Sequence, residues 1–167
     1  ERHNVTNAQF MEFVEAGGYR GSRWWAADDW QWLESDQRRH PSFWATDGQT
    51  WSWRGMFERV PLPPAWPVFV TLAEAAAFAR WRGVRLPTEA EFQRAAYGSP
   101  TGERLYPWDN QEPSPSRGAF DFESFDPTPA GSHSAGASAW GVEDLVGNGW
   151  EWTTTAFEPF RGFRAMP

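Results

Sequence analysis

Nine residues, Asp144-Leu-Val-Gly-Asn-Gly-Trp-Glu-Trp152, place two carboxylates and two glycines around an indole pair in a stretch too short for an amphipathic helix. A hard cation such as calcium takes about 6 to 8 oxygens at roughly 2.3 to 2.6 Å, drawn from carboxylates and from carbonyls that an irregular, glycine-bearing loop can turn inward. Asp144 and Glu151 offer the carboxylates, and Gly147 and Gly149 offer the carbonyls. The same spacing equally fits a packed segment in which Leu145, Val146, Trp150 and Trp152 are core and the carboxylates face solvent. Spacing alone does not separate the two.

Other reactive groups are sparse. The chain has three His residues, at positions 3, 40 and 133. None is paired at i, i+4 or set beside a carboxylate partner in sequence, whereas a mononuclear iron or zinc site takes two or three such ligands. His40, ahead of Pro41, and His133, between Ser132 and Ser134, read as exposed turn histidines. The absence of Cys excludes a disulfide framework, a thiolate metal site and a thiol nucleophile in this stretch. Ser132 and Ser134 flank His133, but immediate neighbours in a loop seldom reach nucleophile–base geometry.

The elements that must position the nine residues are announced by three capping boxes. Thr6-x-x-Gln9 opens a helix that stops at Gly17-Gly18, Thr71-x-x-Glu74 one that stops at Gly83, and Thr88-x-x-Glu91 one that stops at Gly98. Leu86-Pro87 enforces an extended entry to the third. Between the first two helices lies a Trp-rich stretch in which Trp51-Ser-Trp53 alternates as a strand, with Asp47-Gly48 ahead of it as a hairpin turn. Pro67-Val-Phe-Val70 reads as a buried strand. Tyr106-Pro-Trp-Asp109 and Phe120-Asp-Phe-Glu-Ser-Phe125 are ordered islands in a turn-rich region. There is no internal repeat.

Composition agrees with short elements and long loops. The 167 residues include 15 Gly and 14 Pro, which favours turns, and 13 Trp with 13 Phe, which makes the expected core aromatic. A chain of this length is one domain and buries about 70% of its unfolded surface. The net charge of −7 speaks against a nucleic-acid partner, whose phosphates demand clustered bases. No apolar run approaches the ~18 residues of a membrane span, so no membrane partner is expected and the location is expected to be cytoplasmic. Both ends read as cut from a longer protein. The fold class is α+β.

Together, Arg85-Leu-Pro-Thr-Glu-Ala-Glu-Phe-Gln-Arg-Ala-Ala-Tyr-Gly98, Tyr106-Pro-Trp108 and Gly141-Val-Glu-Asp-Leu-Val-Gly-Asn-Gly-Trp-Glu-Trp-Thr153 resemble the formylglycine-generating-enzyme (sulfatase-modifying-factor) domain family. Val5-Thr-Asn-Ala-Gln-Phe10 and Pro67-Val68 match its opening motif and an inner strand. The resemblance covers nearly the whole chain and implies a C-type-lectin-like fold, a single domain over 1–167 lacking its last, C-terminal strands. Glu15-Ala-Gly-Gly-Tyr19, His40-Pro-Ser-Phe-Trp44, Trp53-Arg-Gly-Met-Phe57 and the run from Phe157 to Phe163 look closest to the ergothioneine-type (EgtB-like) sulfoxide synthases.

That resemblance implies a substrate-binding domain acting with a missing N-terminal helical domain that holds iron(II) on three His residues. The implied substrates are a histidine-derived betaine and a thiol, joined by a C–S bond with oxygen. It also implies a structural calcium on Asp144, the carbonyls of Gly147 and Gly149, and Glu151, with Trp150 lining the substrate groove. A first calcium site of the family would need an Asn near Ala119, and Ala has no side-chain oxygen. A proton-donating Tyr would fall after Pro167. Two other functions fit the same family. One is a formylglycine-generating oxidase with a downstream cysteine pair, and the other a non-catalytic lectin-like ligand-binding module.

Overall fold

All three capping boxes close as predicted, and each fixes the first residue of a helix. In the computed structural model, which describes residues 1–121, 124–159 and 161–164, these helices are α1 (Asn7–Glu15), α3 (Leu72–Trp81) and α4 (Glu89–Tyr97). At each Ncap the Thr hydroxyl accepts from the N3 backbone N–H while the N3 side chain accepts from the Thr backbone N–H, at 2.9 Å for Gln9 and 2.8 Å for both Glu74 and Glu91.

The helix stops differ. Beyond α1, Gly17 takes the left-handed conformation and Gly18 N–H donates to Phe13 at 2.9 Å, with Gly17 N–H donating to Val14 at 3.0 Å. Gly98 does not do this. It is extended (φ −75°, ψ 148°) and is itself the first residue of a two-residue strand, and an added Cβ there would lie 2.7 Å from the Arg94 carbonyl oxygen. A further helix, α2 (Ala27–Ser35), was not predicted. Its Ncap Ala26 makes no side-chain cap, and its left-handed stop is Gln37 rather than Gly. It therefore carries neither the usual start nor the usual stop signal. Asp28 and Asp29 occupy its first turn, where the macrodipole favours anions.

Strands β1 (Trp44–Thr46), β2 (Trp51–Arg54) and β3 (Arg59–Pro61) form an antiparallel meander in which Trp44 faces Trp53. Asp47 organises the first hairpin loop by accepting from Gln49 N–H, Thr50 N–H and the Thr50 hydroxyl. Short strands β4 (Gly98–Ser99) and β5 (Gly102–Glu103) pair after α4. Helices with a few short antiparallel strands make the domain α+β. The expected strand at Pro67–Val70 is not one: the segment makes an isolated bridge to Thr6 and one bond from Val68 N–H to Val5, and residues 68–70 are only half-buried. The expected island at 120–125 includes Phe122 and Glu123, which lie outside the described residues.

As composition implies, the core is built of rings: Phe10, Phe13, Tyr19, Trp25, Trp44, Trp53 and Phe78, with Leu33 and Ala77 between them. Phe10 stacks on Phe78 at 5.2 Å and meets Phe13 edge-on at 5.4 Å. Buried polar groups cross-link the elements. Asn7 donates to the Pro63 carbonyl and accepts from the Trp44 indole, joining α1 to β1. The Tyr19 hydroxyl donates to Glu74 at 2.6 Å, the same carboxylate that caps α3. Burial, then the Glu74 charge, pushes that phenol well above its ordinary pKa.

One feature of this frame positions the nine-residue stretch. Residues 2–7 form a strap leading into α1, held by Glu143 N–H donating to the Arg2 carbonyl and by Val68 N–H donating to that of Val5, both at 2.9 Å. Asn7 N–H donates in turn to Trp66. The strap thus lies between residues 66–68 and the start of the 144–151 loop.

Candidate cation clasp and adjoining groove

Asp144 sits at φ 56°, a left-handed conformation that Asp tolerates better than most residues. Its Oδ2 accepts from Gly131 N–H at 2.6 Å. Four residues on, Asn148 Oδ1 accepts from both the N–H and the hydroxyl of Thr128, and its Nδ2 donates to the Thr128 carbonyl. The loop is therefore pinned to residues 128–131 at two points. Gly147 lies at φ +94°, and a Cβ there would stand 2.5 Å from the Phe120 ring. At Gly149 a Cβ would meet only the Phe69 ring, at an ordinary 3.6 Å, so that position does not require glycine.

The electrostatics of the loop are unbalanced. Asp144 is fully buried, and its Oδ1 has no hydrogen-bond partner among the described residues. Burial pushes the Glu151 carboxyl up to about 7, against a lowering bond from Asn4, and the Asp144 charge pushes the same way. That bond runs from Asn4 Nδ2 to Glu151 Oε1 at 3.0 Å, and Asn4 Oδ1 is likewise buried and unpartnered among the described residues. An unpaired buried polar group costs about 1–3 kcal/mol, and three such atoms belong to this region: Asn4 Oδ1, Asp144 Oδ1 and His133 Nδ1.

Two histidines stand closer to carboxylates than the sequence indicated. His133, expected as an exposed turn residue, has only 12% of its side chain exposed, and its Nδ1 lies 3.7 Å from Asp144 Oδ1. That separation is too long for a hydrogen bond. His3 Nδ1 lies 3.6 Å from Glu143 Oε2, whose other oxygen accepts from Arg2. Both pairs were invisible in sequence because the strap and the 128–131 segment meet the loop only through the fold.

The donor set discriminates among ions. Among the described residues no group of three or more His, Cys, Asp or Glu side chains is arranged to hold a metal. Calcium differs because amide and backbone carbonyl oxygens complete its shell. Asp144 and Glu151 supply carboxylates, and Asn4 Oδ1 an unpartnered amide oxygen, of the type that chemistry uses.

A cavity of about 940 Å³ opens beside the clasp. Val68, Val70, Phe92 and Leu145 line it with apolar surface, Asn4 and Glu151 bring polar groups, and Trp150 and Trp152 form a wall. The packed alternative for these two indoles fails. Trp150 is 99% exposed, and Trp152 is 47% exposed with its indole donating to the Val70 carbonyl at 2.8 Å. Leu145 alone of the apolar residues in the loop is buried as core.

Asn4, His133 and Asn148 are the site residues that sequence reading missed. Asn148 gave one signal, an amide between two glycines, but its partner Thr128 is contributed by another loop.

A family model described as the sulfatase-modifying factor enzyme 1-like domain matches residues 1–166. The hercynine oxygenase of Mycobacterium tuberculosis is 40% identical over 165 residues, covering 97% of this chain and 38% of its own length. A formylglycine-generating enzyme of the same organism is 32% identical over 209 residues, covering 95% of this chain and 64% of that protein. The inactive C-alpha-formylglycine-generating enzyme 2 of Bos taurus is 32% identical over 184 residues, with 92% of this chain and 58% of its own length covered. The chain spans about two fifths of the length of the hercynine oxygenase.

Proposed function

The chain belongs to the sulfatase-modifying factor enzyme 1-like domain family, and we propose that it is the substrate-binding domain of an ergothioneine-type, non-haem iron sulfoxide synthase. The observation that carries this reading is 40% identity to a hercynine oxygenase across 97% of the chain. The groove beside the clasp supports it. A betaine presents a quaternary ammonium, which indole faces attract, and the exposed Trp150 and Trp152 are among the residues that line the cavity. The fold proposed with this function is C-type-lectin-like.

In the proposed reaction a betaine C–H and a thiol S–H combine with dioxygen to give a C–S bond, a sulfoxide oxygen and one water. Iron in another part of the polypeptide supplies dioxygen activation. This domain binds the betaine, walls it from bulk water and orients it. The calcium clasp stiffens the loop that carries Trp150, with Asp144, Glu151 and the carbonyls of Gly147 and Gly149 as its ligands.

The test is oxygen consumption by the complete polypeptide loaded with iron(II), given a histidine-derived betaine and a thiol. Consumption of one dioxygen per sulfoxide formed is the expected result. No turnover with verified iron loading favours a non-catalytic binding module, a reading that similarity to an inactive mammalian relative keeps in play. A cysteine pair downstream in the gene would instead point to a formylglycine-generating oxidase, a reading supported by the longer coverage of the mycobacterial enzyme of that name.

A further inference from the structure

Most of the clasp is written in one nine-residue stretch, but one of its polar contacts comes from the strap at the other end of the chain. We infer that Asn4 is itself a ligand of the cation site, giving its amide oxygen to the ion, so that the bound ion ties residues 2–7 to the 144–151 loop. This inference rests on the calcium reading of Asp144 and Glu151.

Three observations carry it. Asn4 Nδ2 donates to Glu151 Oε1 at 3.0 Å, which fixes the amide beside a carboxylate of the site. Turning the amide over would bring its oxygen against that carboxylate and forfeit the bond, so chemistry sets the orientation. With the nitrogen so committed, Oδ1 is left buried and unpartnered among the described residues. Asp144 Oδ1 is in the same condition, on a wholly buried side chain of the loop that carries Glu151. One orphaned oxygen therefore belongs to a side chain bonded to Glu151, and the other to the loop on which Glu151 stands.

The strap cannot relieve this by swinging away. Its backbone is bonded on both sides of Asn4, at Arg2 by Glu143 N–H and at Val5 by Val68 N–H. His133 Nδ1, itself buried and without a hydrogen-bond partner among the described residues, lies 3.7 Å from Asp144 Oδ1, within ion-pair range when protonated but too far for a hydrogen bond. In the inferred site a divalent ion takes both oxygens: two carboxylates balance its charge, and a neutral amide oxygen adds to the coordination number without adding repulsion.

The experiment measures calcium affinity of the complete polypeptide by two readouts that do not depend on activity. One is the calcium-induced rise in melting temperature. The other is terbium(III) luminescence sensitised through Trp150 and Trp152, which flank Glu151, with calcium as competitor. Asn4→Ala is expected to raise the calcium Kd at least about tenfold. Asn4→Asp separates ligand from hydrogen-bond donor, since it keeps an oxygen and loses the N–H: it is expected to bind calcium at least as tightly as the unmodified protein. Unchanged affinity in Asn4→Ala overturns the inference, as does weakened affinity in Asn4→Asp. If Asn4→Ala does not fold, Asn4→Asp decides alone. If the unmodified protein shows no calcium response in either readout, the calcium reading has failed and this inference falls with it. A calcium response that Asn4→Ala leaves intact overturns only the role of Asn4.

Discussion

Asp144 carries two loads, one on each carboxylate oxygen. One oxygen holds Gly131 N–H at 2.6 Å, and the other has no partner among the described residues. If the second faces a calcium ion, occupancy stabilises the fold by RT ln(1 + [L]/Kd), about 2.7 kcal/mol at a hundredfold excess over Kd. Asp144→Ala and Glu151→Ala are therefore expected to lower the melting temperature in calcium and to abolish the shift that calcium gives. With a chelator present the deficit should shrink, because two buried like charges then no longer repel. A chelator that leaves the melting temperature of the unmodified protein unchanged would mean that the loop is held by packing alone. The glycines give a paired test in which neither change removes a carbonyl. Gly147→Ala combines φ +94° with a Cβ 2.5 Å from the Phe120 ring, and is expected to cost about 1–3 kcal/mol in denaturant unfolding. Gly149→Ala meets only a 3.6 Å contact and should stay within about 0.5 kcal/mol.

At the scale of elements, the capping boxes are where sequence and structure agree most closely, and α4 shows why. Thr88 and Glu91 exchange bonds within three residues, so the start of the helix is a local event that sequence can state. Thr88→Ala is expected to cost about 1 kcal/mol in a urea melt. Glu91 has a second role, accepting two bonds from Arg85 at 2.7 and 2.6 Å. Chiefly through Arg85, then through Thr88 N–H, its carboxyl is lowered to about 2. A carboxyl depressed in the folded state adds stability that is complete above its unfolded pKa near 4.3 and is lost as pH falls through about 2. Glu91→Gln should accordingly flatten the acid limb of the stability curve between about pH 4.5 and pH 2, and added salt should shrink the difference because the pair is exposed. What sequence could not state is what depends on tertiary pairing. Helix α2 has no side-chain cap and stops on Gln37, so it offered no local signal. Residues 67–70 have the composition of a strand yet pair only through Thr6 and Val5. Asp144 and Glu151 were legible as paired carboxylates; Asn4 and His133 were not, since only the fold brings them to the loop.

For the whole molecule the question is what the groove faces. Among the described residues the chain holds no cluster of metal-ligating side chains of the kind iron uses, and no helix is long and apolar enough to cross a membrane. In the proposed chemistry this domain binds the betaine, and Trp150 is the residue that tests it. At 99% exposure its ring contributes nothing to packing within this domain, so Trp150→Ala should leave the melting temperature unchanged. If the ring meets a quaternary ammonium, its loss removes an attraction of about 1.4 kcal/mol, a tenfold effect. In the complete iron-loaded enzyme that loss should appear as a tenfold higher KM for the betaine at constant kcat, since binding is weakened equally in ground and transition states. Trp152→Ala is the internal comparison, because this half-exposed indole donates to the Val70 carbonyl and its removal should lower the melting temperature. Should Trp150→Ala destabilise the complete polypeptide as much as Trp152→Ala does, the groove is a packing face for another part of that polypeptide, and the betaine binds elsewhere.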